Sequence, residues 1–145
     1  MANLVETVRS LIAQGESSTV DFKAQAERQN HDSVCKDIAA FATSDGGDLV
    51  IGVRNGTREI LGVEDPESVQ DRIASWTFDY IKPSPEVRTS MVELDEKMLV
   101  HVHVLHNQER FFCINGEPYE RVGATSRKVS DENRLQRLRQ AAHIN

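Results

Sequence analysis

A chain of 145 residues with 39% hydrophobic and 28% charged side chains has the make-up of one soluble domain, large enough to bury roughly 70% of its unfolded surface. A net charge of −6 argues against a general, charge-driven nucleic-acid binder, and no apolar run approaches the ~20 residues that span a bilayer. The opening MANLVETVRSLIAQGE carries acids where a secretory leader has an apolar core, and Cys35 and Cys113 fit neither a zinc spacing nor a disulfide framework. The expectation is a single cytoplasmic domain over residues 1–145, with two buried thiols.

Leu4, Val5, Val8, Leu11 and Ile12 form one stripe, predicting an amphipathic helix over 4–14 that Gly15 ends. Ser18–Lys23 alternates, with Val20 and Phe22 on one face and Thr19, Asp21 and Lys23 on the other, so a half-buried strand is predicted there. Asn30 or Asp32 can cap a second helix whose stripe includes Val34, Ile38, Phe41 and Ala42. Asp45-Gly46-Gly47 breaks it, and Leu49–Val53, apolar on both faces, has the pattern of a central strand.

Asn55-Gly56 predicts a tight turn with Arg58–Val63 returning as a hairpin strand. Asp65-Pro66 opens a third helix carrying Val69, Ile73, Trp76 and Tyr80. After the extended Lys82-Pro83-Ser84-Pro85 come two strands, about 86–94 and 97–105, turning at Asp95-Glu96. A further hairpin is predicted from Arg110–Ile114 and Tyr119–Val122 about Asn115-Gly116, and Ser130 caps a last helix with acids first and arginines later. Helices interleave with strands early and strands cluster later, so the fold class is α/β or α+β: one layered domain, a mixed sheet with packed helices.

The charge is uneven. Residues 1–120 hold 11 basic and 21 acidic side chains, a net of −10, whereas residues 121–145 hold 6 basic and 2 acidic, a net of +4. An acidic body with a basic tail segment can bind phosphate locally and stay soluble, although solvated helix arginines look the same in sequence.

Four clusters can carry chemistry. Glu16 and Asp21 are acids that, held close, need a proton or a cation between them, and such oxygen pairs suit Mg²⁺ or Mn²⁺. Lys23, two residues after Asp21, shares its strand face and can steady developing charge, and the plain alternative is a solvent-facing Asp–Lys pair. Asp45-Gly46-Gly47-Asp48 can expose backbone amides to an anion, but it precedes a strand and lacks a P-loop or dinucleotide pattern, so a simple chain reversal competes. Arg121-Val122-Gly123-Ala124-Thr125-Ser126-Arg127 can grip a phosphate, or merely join the last strand to the last helix. His101 and His103 share a strand face, but no carboxylate can be placed beside them from sequence. No Ser/His/Asp hydrolase arrangement emerges.

Together these segments resemble the Schlafen-type AlbA_2 domain family. The matching pieces are Glu16-Ser17, then Val20-Asp21-Phe22-Lys23, Ile38–Thr43, Gly46–Val53, Ile60-Leu61-Gly62-Val63, Ile81-Lys82-Pro83 and Arg121–Ser126, covering about residues 12–130 in the family's order. The resemblance implies an AlbA-like fold and nucleic-acid binding. In some Schlafen members two such lobes form a positively charged valley where three acids support metal-dependent cleavage of transfer or ribosomal RNA. Two of those acids match Glu16 and Asp21; the third normally follows the apolar strand, where this chain has Arg54-Asn55, with Glu59 or Asp48 as possible substitutes.

The expected function is therefore nucleic-acid binding, with metal-dependent endoribonuclease action on structured RNA such as tRNA. Glu16, Asp21 and Lys23 are the candidate catalytic residues, Glu16 and Asp21 the ligands of Mg²⁺ or Mn²⁺, and Lys23, Arg121, Arg127 and Lys128 the contacts to RNA or DNA. A non-catalytic DNA- or RNA-binding regulator or antitoxin-like module is the alternative, and nucleotide (ATP) binding, without a Walker lysine, the third. Because family members pair two lobes, a one-lobe chain is expected to form a homodimer.

Overall fold

In the computed structural model, which describes residues 3–107 and 109–143, the first helix α1 (Leu4–Gln14) follows an Asn3 cap whose side chain accepts from the Glu6 amide. Strand β1 (Val20–Lys23) pairs in parallel with β2 (Gly47–Ile51), which pairs antiparallel with β4 (Lys97–Val104), and β4 pairs antiparallel with β3 (Val87–Leu94). The order β1-β2-β4-β3 makes a mixed sheet with β2 inside it, as the two-sided apolarity of Leu49–Val53 predicts. A second sheet, β5 (Cys113–Ile114), β6 (Glu117–Val122) and β7 (Thr125–Lys128), is antiparallel throughout.

Alternation along the strands divides the core in two. On one side of the main sheet Val8 and Leu11 of α1 pack on Val20, Phe22, Val50, Val92, Leu94 and Leu99. On the other, α2 (His31–Thr43) and α3 (Pro66–Tyr80) lie against Leu49, Ile51, Val100, Val102 and Val104. The β5–β7 sheet then covers the outer side of α2 through Phe112, Ile114 and Tyr119, so the last two turns of α2 are buried all round. Fully burying an aliphatic side chain of this kind contributes about 1.5–3 kcal/mol, which is why this helix needs no strong cap.

Several expectations are corrected. Asn30 stands at the start of α2, but its side chain turns back: Oδ1 accepts from the Glu27 amide and Nδ2 donates to the Gln25 carbonyl. Asp65 does cap α3, accepting from the Ser68 amide and hydroxyl. The expected strand over Arg58–Val63 reduces to a single bridge between Val53 and Ile60. Gly52 and Gly62 adopt φ of 105° and 77°, and the Leu61 and Gly62 amides both donate to the Gly52 carbonyl, so the ladder bulges instead of running on. The segment after Arg121 is neither loop nor joint: it folds back as β7, pairing Arg121 with Ser126 and Glu120 with Arg127. Finally β1 is covered on both faces, not half-buried: Asp21, opposite Val20 and Phe22, is buried against Asp37 of α2 and Arg121 of β6.

Candidate functional site

The alternation that sends Val20 and Phe22 toward α1 sends Asp21 and Lys23 toward α2. There they meet Asp37, a residue that sequence reasoning missed. The Lys23 ammonium lies 2.8 Å from Asp37 Oδ2 and 3.3 Å from Asp21 Oδ2, and donates to Ser33 Oγ at 2.8 Å. From β6, Arg121 closes the group: Nη1 lies 3.5 Å from Asp37 Oδ1 and donates to Ser126 Oγ at 3.0 Å, while Nη2 donates to the Ser17 carbonyl at 2.6 Å. Ser126 on β7 donates to Asp37 Oδ1 at 2.6 Å, and the guanidinium stacks on the Phe41 ring, 4.6 Å from its centroid. Two acids and two bases from β1, α2 and β6 thus form a closed quartet, tied to β7 by Ser126.

Burial shapes its charge. Asp21 is 4% exposed. Loss of water, then a hydrogen bond donated to Asp37 and the like charge there, push its carboxyl up to about 7 against the opposing pull of Lys23 and Arg121. For Asp37 burial acts in the same upward sense, but hydrogen bonds from Asp21, Lys23 and Ser126 and the Lys23 charge outweigh it and hold the carboxyl below its ordinary range. Burial likewise opposes the Lys23 charge, and the two carboxylates overcome it, raising the ammonium. One carboxyl therefore keeps a proton near neutrality while the other stays ionised. Asp37 Oδ2 meets the ammonium as an ion pair without a well-aligned hydrogen bond, and Arg121 Nε is buried with no acceptor, its positive face resting on Phe41.

The predicted site residues fare differently. Asp21, Lys23 and Arg121 converge, but as buried structural charges: the Arg121 side chain is 1% exposed, so it is no phosphate contact. Glu16 is engaged elsewhere: its Oε1 accepts from the Gly56 amide at 3.0 Å, closing the Asn55-Gly56 turn. The substitutes for a third acid are also engaged elsewhere. Glu59 faces Arg54 at 3.6 Å, and Asp48 lies across the sheet from Asp21, its Oδ1 bonded to His101 Nε2 at 2.8 Å and His103 Nδ1 at 3.0 Å. Burial works against the Asp48 charge, and the two imidazole hydrogen bonds prevail, lowering its carboxyl. The β2–β4 register supplies this carboxylate beside the histidines, a placement invisible in sequence.

The residues therefore do not fit the Mg²⁺ or Mn²⁺ that the family resemblance implies. Glu16 serves a turn, Asp21 faces an internal ammonium, and among the described residues no group of three or more His, Cys, Asp or Glu is arranged to hold a metal ion. Nor is the Gly46-Gly47 turn an anion cradle. The Gly46 amide donates to the Phe41 carbonyl and the Asp48 amide to the Thr19 carbonyl, and a Cβ on Gly47 would stand 2.5 Å from the Phe41 ring. The groove beside Gln25, Glu27, Glu64 and Asp65, about 410 Å³, has an acidic rim, and its Arg72 is held by the Ala26 carbonyl and Glu27.

What remains open to solvent is the basic end. Arg127 and Lys128 on β7 are exposed, as are Arg134 and Arg139 on α4 (Asp131–His143). Arg137 docks that helix, donating to the Asn107 and Arg110 carbonyls and lying 4.8 Å over Phe111. No helix among the described residues is long and apolar enough to cross a membrane.

Comparison with known proteins agrees with this architecture. The Schlafen AlbA_2 family model matches residues 16–130. The DIP2311 protein of Corynebacterium diphtheriae superposes with a TM-score of 0.64 at 23% identity, over 94% of this chain but only 28% of that one. The N-terminal domain of a Nitrosomonas europaea protein named as related to the ATP-dependent DNA helicase RecG gives 0.61 at 24% identity, covering 90% of this chain and 95% of that domain. No curated protein matches the chain.

Proposed function

The chain belongs to the Schlafen AlbA_2 family, and from that premise we propose that it is a cytoplasmic nucleic-acid-binding domain that grips phosphates with β7 and α4 and does not cut the strand it binds. The observation that carries this reading is the partition of its cations. Lys23 and Arg121 are spent on internal carboxylates, whereas Arg127, Lys128, Arg134 and Arg139 stand in solvent on the one segment with net positive charge. Phosphate contacts of this kind fix affinity and position rather than sequence. The likeness to a domain of a helicase-related protein is consistent with such a role.

Fluorescence anisotropy with labelled tRNA and with duplex DNA tests it. Binding should weaken steeply with salt, and replacing both Arg127 and Lys128 with Ala should lower the slope of log K against log salt by about 2, roughly one per lost contact. No product should form in Mn²⁺ or Mg²⁺. Affinity indifferent to the double substitution, or cleavage abolished by Asp21→Asn, refutes the proposal.

We further infer a homodimer. Helix α4 leaves Leu135 and Leu138 50% and 56% exposed, three residues apart on one face, and its basic segment complements the acidic body of a second copy. A helix of 13 residues whose side chains from Asp131 to Gln140 are nearly all exposed is marginal until something covers that face.

A further inference from the structure

Three oxygens, Asp21 Oδ2, Asp37 Oδ2 and Ser33 Oγ, stand 3.3, 2.8 and 2.8 Å from one positively charged atom. Two carboxylates and a hydroxyl around a single cation are the donor set of a hard-metal site. Here the cation is the ε-ammonium of Lys23, fastened to β1 two residues beyond one of its own ligands. The Lys23 side chain is 14% exposed, and the second oxygen of Asp37 is held by Ser126 and Arg121. Even with both acids ionised, the two carboxylates, the ammonium and the guanidinium sum to zero, and a proton on Asp21 makes the sum positive. A divalent ion entering this cluster would have to expel the ammonium or leave a buried excess of two positive charges, and uncompensated buried charge costs several kcal/mol.

We propose that the Lys23 ammonium is the resident cation of the Asp21–Asp37 acid pair, that it excludes divalent metal from this site, and that removing it opens a divalent-cation site formed by Asp21, Asp37 and Ser33. The acid pair that matters in this chain is thus Asp21 with Asp37, on strand and helix, and not Asp21 with Glu16. Mg²⁺ and Mn²⁺ bind oxygen about 2.0–2.2 Å away, closer than an ammonium does, and the space left by the lysine stem admits the waters such ions retain.

Manganese alone is the probe. Loss of the free Mn²⁺ paramagnetic resonance signal reports uptake by the wild-type chain, Asp21→Asn, Lys23→Ala and the double variant Lys23→Ala/Asp37→Asn, with circular dichroism confirming the fold. The wild type should show no uptake that Asp21→Asn removes. Lys23→Ala should take up Mn²⁺ at least tenfold more tightly than wild type and melt at higher temperature in its presence, and the double variant should lose both effects. Uptake by the wild type that disappears in Asp21→Asn overturns the proposal, and so does a folded Lys23→Ala that binds no better than wild type. Should Lys23→Ala not fold, Lys23→Ser, which leaves the same space for the ion and its waters, takes its place, and the wild-type and Asp21→Asn pair decides the exclusion of metal by itself.

Discussion

Arg121 is surrounded by acceptors it cannot share with solvent, so its value to the fold is best judged by what its removal would strand. Truncation leaves Asp37 buried with one fewer cation and frees the Ser17 carbonyl and the Ser126 hydroxyl. Breaking a buried pair in this way costs about 3–5 kcal/mol, so Arg121→Ala should lose roughly that much stability in urea, and Arg121→Lys, which cannot make the same fork, should recover only part of it. Asp21 gives a pH signature. Its folded carboxyl is raised to about 7, above the ordinary value near 3.9 that it has when unfolded, so the folded state binds the extra proton. Its contribution is therefore complete below about pH 4 and is lost as pH rises toward 7. Asp21→Asn removes this loss: its stability relative to wild type should climb by about 1–2 kcal/mol or more between pH 4 and 7 and level off above, measured by urea unfolding across that range. Asp21 and Lys23 were legible from strand alternation. Asp37 was not, because the apolar stripe of Val34, Ile38, Phe41 and Ala42 marks only the face toward the sheet. The signal lay in the adjoining ridge: Ser33 and Asp37 stand one turn apart and lead on to Phe41 at the stripe's edge, and Ser33 and Phe41 each touch a cation that Asp37 pairs with.

Among the elements, α2 packs against both sheets and α3, and the turn leaving it has no slack. A methyl group at Gly47 would stand 2.5 Å from Phe41 Cδ1 and 2.8 Å from the Thr19 carbonyl, forcing a shift in the ring on which the Arg121 guanidinium stacks. Gly47→Ala should destabilise by about 1–3 kcal/mol in chemical denaturation, the usual cost of overpacking. Most elements could be read from periodicity and turn residues: α1, α3 and the β3–β4 hairpin about Asp95-Glu96 stand where those patterns put them, and the hairpin about Asn115-Gly116 forms with its first strand shortened from Arg110–Ile114 to Cys113–Ile114. Two could not. The return strand after Asn55-Gly56 dissolves into a bulge, because the twin glycines at 52 and 62 allow a backbone that a ladder forbids. Strand β7 went unseen because Thr125–Lys128 is polar at every position; its pairing follows from the inward Ser126, whose target lies on another element.

For the whole molecule, the separation of an acidic body from a basic end was countable in the sequence, whereas the removal of two of the predicted phosphate contacts to the interior was not, since burial depends on how the β6–β7 hairpin folds over α2. The self-association inferred through α4 can be checked directly. Light scattering should give twice the chain mass for wild type and a single chain mass for Leu135→Glu/Leu138→Glu, with little change in the helical signal of the body; a wild-type monomer at tens of micromolar would dismiss the pairing. On the far side of the sheet, one oxygen of Asp48 serves two imidazoles at once. An ionised carboxylate can only accept, so both ring nitrogens facing it must carry hydrogen. In their neutral forms His101 is thereby fixed as the Nε2–H tautomer and His103 as Nδ1–H, which leaves the bare lone pair of His103 on Nε2, on a side chain nearly half open to water.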